Sequence, residues 1–201
     1  MNPFTTADDT FENQTFNRIT FDKGQVRGRE FHDCHFVHCS LRETVLEKCR
    51  FNDCTFKDCD LSLARLDGST CRNVDFKTCR LIGVNWALIK WPKFLHASPI
   101  QFQDCALDYA SFMGLRLHKI SFAGCILREV DFTEADLTEA DFRRAVLSRS
   151  QFNHTNLTRA NFTGASDYLI NPTLNTVTQA IFSLPEAISL LHTLNIRLEE
   201  L

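Results

Sequence analysis

The chain repeats itself every five residues, and no other feature constrains its fold as tightly. Counting in fives from Phe11 to Trp86, the positions read F F F V F F L L F F L L C F L W, all apolar. Counting in fives from Phe102 to Phe162 they read F L F L F L F L F L F L F. With 44% of the chain apolar, chance gives such an unbroken run with a probability on the order of 10⁻¹⁰. Fifteen of the 18 Phe lie on these centres.

A period of five is neither the 3.6 of an amphipathic helix nor the 2 of a strand. The residue two places before each centre adds a second rule. From Cys34 to Val84 it is always Cys, Thr, Ala, Ser or Val. From Cys105 to Ala160 it is mostly small, with Leu115 and Ile120 as exceptions. Eight of the nine Cys fall at this place, where they read as small hydrophobes; the ninth, Cys71, is a centre. Asp or Asn precedes many centres, as in Ala135-Asp136-Leu137 and Ala160-Asn161-Phe162.

Two inward residues and three outward ones per five suit a chain that turns a corner every five residues. Four sides close a square coil of twenty. Stacked coils pair as parallel strands and bury their centres against one another. Residues twenty apart are therefore expected to stack, with a core built on Phe36, Phe56, Phe76, Phe122, Phe132, Phe142, Cys54 and Cys59.

The [small]-[Asp/Asn]-[Leu/Phe]-x-x pattern resembles the pentapeptide-repeat family over residues 9–165. The resemblance implies an all-β fold, a right-handed quadrilateral β-helix. Nearly eight coils at about 4.8 Å each make a rod roughly 38 Å long.

The frame slips once. Sixteen residues separate Trp86 from Phe102, and 89–99 lacks the pattern and carries two Pro. The break is expected to divide the rod into stacks 9–88 and 100–166 and to project a loop. Insertions in solenoids collect on binding faces, so Lys90, Trp91, Lys93 and His96 are candidate partner contacts, with Trp91 packing and the lysines exposed. Residues 1–8 read as an N-terminal tail. The first coil reads as weak and prone to fray, because Asp9, Gln14 and Arg29 stand where small residues belong.

After 166 the repeat stops, and Thr173–Phe182 reads as extended. Ser183-Leu-Pro-Glu186 has the form of a capping box with Pro in the first turn. A helix near 184–194 is expected from the stripe Ala187, Ile188, Leu190, Leu191, Leu194. So short a helix needs something to pack on. Phe182, Leu184, Ile188, Leu191, Leu194 and Ile196 offer more apolar surface than one cap uses, and 167–201 is read as a cap and homodimer seam.

Other chemistries are poorly served. His32-Asp-Cys-His-Phe-Val-His-Cys39 has the look of a metal site, but the period turns the thiols inward and the imidazoles outward, away from one tetrahedral centre. The odd Cys count and five-residue spacing favour reduced thiols. No Gly-rich phosphate loop, Gly-x-Ser-x-Gly or His-Glu-x-x-His occurs, and a regular rod has no deep pocket. A non-enzymatic protein without cofactor or metal is expected. The start of the chain carries no secretory signal and no run of eighteen apolar residues occurs, which suggests a cytoplasmic protein with no membrane contact. A net charge of −3, nearly balanced in each block, argues against direct nucleic-acid binding. Asp9, Glu12, Glu30, Asp33 and Asp53 share a side with Arg29, Arg50 and Arg72, so an acidic, DNA-like face is not shown by composition.

The parts outside the repeat resemble a branch of the family. Val84-Asn85-Trp86 followed by Trp91-Pro92, then Ile170-Asn171-Pro172 and the tail Phe182–Leu191, are similar to the immunity proteins that protect DNA gyrase from microcin and albicidin. The plasmid quinolone-resistance proteins are more distant. The resemblance implies a dimeric rod that engages gyrase, or the related topoisomerase IV, where the enzyme holds DNA. The quinolone-resistance branch carries larger projecting loops than this break. The alternative expectation is a solenoid scaffold or regulatory interaction module with no topoisomerase role.

Overall fold

The structure is a computed structural model that describes residues 4–92, 97–194, 196 and 199. It is a parallel, four-sided β-solenoid of about eight turns with one short helix at its C-terminal end. Residues twenty apart pair in parallel register, as in Phe16↔Phe36, Phe36↔Phe56 and Phe31↔Phe51.

One side carries an unbroken column of nine Phe: 16, 36, 56, 76, 102, 122, 142, 162 and 182. Successive ring centroids lie 4.5–5.5 Å apart. The opposite side stacks Trp86, Phe112, Phe132 and Phe152. Rings on different sides meet edge-on, Phe122 and Phe132 at 71° and Phe132 and Phe142 at 88°. Within a column rings stack; between columns they are T-shaped, the two arrangements an aromatic quadrupole favours. The expected core residues Phe36, Phe56, Phe76, Phe122, Phe132, Phe142, Cys54 and Cys59 are all buried. Each buried Phe or Leu contributes about 1.5–3 kcal/mol.

The corners explain the outward residues. Two places after most centres the backbone has positive φ, from Asn13 at 51° to Arg159 at 58°, and six of the seven Gly occupy such places. The Asp or Asn before a centre turns its oxygen back to the N–H two residues on: Asp131 to Thr133 at 2.9 Å, Asn161 to Thr163 at 2.9 Å, Asn171 to Thr173 at 2.9 Å. This is the Asx turn, and it fixes the entry to each corner.

Two kinds of corner occur, and they assign the thiols a role beyond volume. In much of the second block the N–H of the small residue closes a turn onto the preceding centre, as Ala110 does to Leu107 and Ala135 to Phe132, both at 3.0 Å. Many first-block corners lack that bond. There the N–H donates to the side chain one coil on: Cys39 to the Cys59 Sγ at 3.3 Å, Cys59 to Cys79 and Cys79 to Cys105 at 3.4 Å, Cys49 to the Ser69 Oγ at 2.8 Å. Each thiol then donates to a carbonyl, Cys59 to Phe36 and Cys79 to Phe56 at 3.4 Å. Volume alone is therefore an incomplete account of these Cys, because a buried N–H must find an acceptor. All nine Cys are free and buried. Burial pushes the Cys71 thiol up to about 12, and burial with the Cys105 thiol raises Cys125, so these two remain thiols.

The break does not divide the rod. Val74–Lys77 pairs directly with Ile100–Gln103, so one coil is six residues longer than the rest and register survives. Nor does the pairing end at 166. Asn156 bridges Thr176, and Asn161–Phe162 pairs with Ile181–Phe182, so part of the segment expected to be extended is paired and forms a further partial coil.

The N-terminal end is closed by the chain itself. Phe4, in the segment expected as a tail, is buried and packs on Phe21, Phe31 and Phe36 at 5.1, 6.1 and 6.3 Å. Arg29, out of place in the repeat, donates to the carbonyls of Thr6 (2.7 Å) and Asp8 and so holds that segment.

Candidate functional site: the break and the C-terminal end

The break is built on Trp86. Asn85 accepts from the Ala87 N–H at 3.0 Å and starts a 3-10 turn, Trp86–Leu88. Trp86 is fully buried, parallel to Phe112 at 8° and edge-on to Phe76 and Phe102. The Trp91 indole N–H donates to the Trp86 carbonyl at 2.8 Å, and its ring packs half-buried against the core. Lys90 is exposed, though its backbone N–H is tied to the Ser69 carbonyl at 2.8 Å. Lys93 and His96 lie outside the described residues. Leu88, beside this turn, is exposed, as is Met113 one coil on.

The C-terminal end has a shorter helix than the sequence suggests. In place of a helix over 184–194 there is one 3-10 turn, Glu186–Ile188, then one helical turn, Ser189–His192. Pro185 occupies the N-cap without a side-chain bond, and Ser183 does not cap. Its hydroxyl instead accepts from the Gly164 N–H at 2.8 Å, tying the tail to the previous coil. Phe182 is the last ring of its column, 4.9 Å from Phe162. It is half-buried, whereas Leu184 (78% exposed), Ile188, Leu191, Leu194 and Ile196 face solvent. Leu169, Leu174 and Ile181 extend this apolar surface around the last coil, a breadth the helical stripe does not reveal.

Several charges elsewhere are paired between adjacent coils. Glu30 meets Arg50 at 3.1 Å, Asp53 meets Arg72 at 2.7 Å, Asp108 meets Arg128 at 2.8 Å, and Glu139 meets both Lys119 and Arg159. On the side where the sequence places five acids, at least Glu30 and Asp53 are thus neutralised. His32 lies 3.3 Å from Glu30, and His38 lies 3.8 Å from Asp58. Among the described residues no group of three or more His, Cys, Asp and Glu is placed to hold a metal ion, and no helix is long and apolar enough to cross a membrane. The shortest His–carboxylate contact among them is His118 to Asp136, 2.6 Å. The same carboxylate accepts from Thr138 and from the Asn156 amide at 3.1 Å, an arrangement that braces a side of the rod.

Comparison with known proteins agrees with this geometry. The family model for the pentapeptide repeat region matches residues 29–112, and that for pentapeptide repeats (8 copies) matches 125–164, together more than half the chain. No curated protein matches the sequence. Among solved structures, a trypsin-treated variant of QnrB1, a plasmid-mediated fluoroquinolone resistance protein, superposes with a TM-score of 0.64 at 21% identity, over 99% of this chain and 94% of that one. Full-length QnrB1 gives 0.55 at 18% identity, over 93% and 100%. At these identities the likeness is one of fold.

Proposed function

The chain belongs to the pentapeptide-repeat family, and on that premise we propose that it is a non-catalytic topoisomerase-protection protein. It binds DNA gyrase, or topoisomerase IV, in the cytoplasm and relieves the action of a gyrase poison. The observation that carries this reading is the unbroken rod. Nine stacked Phe keep one register through the break and into the tail, and the fold spans nearly the whole length of a fluoroquinolone resistance protein.

A stiff rod with flat polar sides fits a cleft shaped for duplex DNA. The inter-coil ion pairs argue that shape contributes more than an acidic stripe does. The exposed residues at 184, 188, 191, 194 and 196 supply a homodimer seam, and the turn at Trp86–Trp91 supplies a lateral contact.

The same charge pairing also favours a second reading, a solenoid scaffold whose partner is not a topoisomerase. A gyrase supercoiling assay separates the two. Purified protein is titrated against an albicidin-like, a microcin-like and a quinolone poison. Rescue of supercoiling with one class establishes protection and names the poison class. Inhibition without rescue retains gyrase binding but removes protection. No effect in either direction leaves the scaffold reading.

A further inference from the structure

The last partial coil pairs with the coil before it on three sides of the rod and leaves the fourth open. The Leu147 N–H donates to the Ser166 carbonyl at 2.9 Å, the Leu157 N–H to Thr176 at 2.7 Å, and Asn161–Phe162 pairs with Ile181–Phe182. Between Leu147 and His154, whose N–H donates to Leu174 at 3.1 Å, the ladder lapses. One coil earlier that stretch is fully paired. The Glu129 N–H donates to Ser148, the Val130 carbonyl accepts from the Gln151 N–H, and the Phe132 N–H donates to Gln151, all at 2.9 Å. The equivalent groups twenty residues on are the Arg149 N–H, the Ser150 carbonyl and the Phe152 N–H. None of the three has a hydrogen-bond partner among the described residues.

A groove of about 360 Å³ lies at this gap, lined by Arg149, Ser150 and Phe152 and by Leu169, Asn171 and Thr193. Phe152 keeps 4% exposure and Ser150 6%, where Phe112, Phe132 and Phe142 keep none. This rung therefore retains surface where its counterparts are sealed. Backbone groups so nearly buried are normally paired, and a row of open N–H and C=O groups is a template for another strand.

We propose that the groove takes an extended peptide segment of a partner protein as the missing rung. In a parallel pair one residue donates its N–H to the residue before its counterpart and accepts at its C=O from the residue after. A single guest residue opposite Gln151 thus satisfies Ser150 and Phe152 together. This is strand addition, in which main-chain bonds give affinity and side-chain fit gives selectivity. The fit points to small, uncharged neighbours for that residue. In a regular coil its neighbours point inward, but Ile170, between the lining residues Leu169 and Asn171, is fully buried and occupies the interior. Arg149, the one charged residue of the lining, already pairs with Glu129. The exposed Leu169 offers an apolar contact. A β-branched residue flanked by glycine meets these terms, since it favours extended backbone.

The test is NMR on the full chain with N-acetyl-Gly-Ser-Gly-Val-Gly amide, and with the same peptide carrying N-methylvaline, which lacks the donor to Ser150. In the free chain the Phe152 amide should exchange with solvent faster than the Phe132 amide one coil earlier. The first peptide should bind saturably, shift the Arg149 and Phe152 amide signals, and slow exchange at Phe152. N-methylation should weaken binding by about fivefold, the effect of one hydrogen bond. Absence of saturable binding, shifts confined to other parts of the rod, or equal binding of the N-methylated peptide overturns the proposal. So does a Phe152 amide already protected in the free chain, because the gap is then filled from within. No arm involves a topoisomerase, so failure here leaves the gyrase reading untouched.

Discussion

The backbone N–H of Cys79 donates to the thiol of Cys105 at 3.4 Å, across a coil six residues longer than its neighbours. The thiol column from Cys39 to Cys125 therefore runs through the break without a missing link. Replacing Cys79 with Ala leaves the Cys59 N–H buried without an acceptor, at a cost of about 1–3 kcal/mol. Cys79→Ser keeps both bonds, as Ser69 does between Cys49 and the Leu46 carbonyl. Denaturant unfolding should rank wild type and Ser above Ala; an Ala variant as stable as the Ser variant would contradict the role given to the thiol.

Phe122 sits where two columns meet, stacked on Phe102 and Phe142 and edge-on to Phe112 and Phe132. Phe122→Ala is expected to lower stability by about 3–5 kcal/mol, and Phe122→Leu by less. Loss below about 1 kcal/mol in thermal or chemical unfolding would mean that the column tolerates cavities a close-packed core does not.

Two carboxylates make the rod acid-sensitive. At Asp136 burial favours the neutral form, but hydrogen bonds from Thr138 and His118 outweigh it and hold the carboxyl below its usual range. At Asp141 burial is likewise outweighed, by Arg143. A depressed folded-state value adds stability above the unfolded-state value, and that stability is lost as pH falls through the folded-state value. The unfolding midpoint should hold from neutral pH down to the normal carboxylate range and drop below it. In Asp136→Asn with Asp141→Asn the drop should shrink; an unchanged acid profile would remove these two groups as its source.

The proposed dimer seam has its own test. Leu191→Asp with Leu194→Asp places two charges on the exposed C-terminal surface. Light scattering should then report a monomer while the β-type circular dichroism persists. A variant that remains dimeric moves the seam elsewhere.

What can be read from the sequence follows from repetition. A five-residue period states which residues face inward, so the Phe columns from Phe16 to Phe76 and from Phe102 to Phe162 are legible in the order of residues alone, and their joining across the break is not. The parts outside the repeat are less so, because each occurs once. Arg29 looks like a violation of the pattern until the carbonyls of Thr6 and Asp8 are seen beside it. The tail past 166 loses the small-residue rule, with Tyr168 and Ile170 filling the core from irregular places, and its pairing, as of Thr176 with Asn156 and Ile181 with Asn161, follows no repeat of its own. A helix over 184–194 overextends the true one because an apolar stripe does not report its length; only Glu186–His192 is helical.

Phe4 gives the molecule a direction. With that ring closing the first coil and Leu184, Ile188 and Leu191 exposed at the last, the two ends are chemically unlike. In the proposed homodimer the exposed apolar end is the one that pairs. The proposed two-fold pairing through the exposed end uses the same patch on both chains and closes at two, whereas a head-to-tail contact between unlike ends would propagate into a filament.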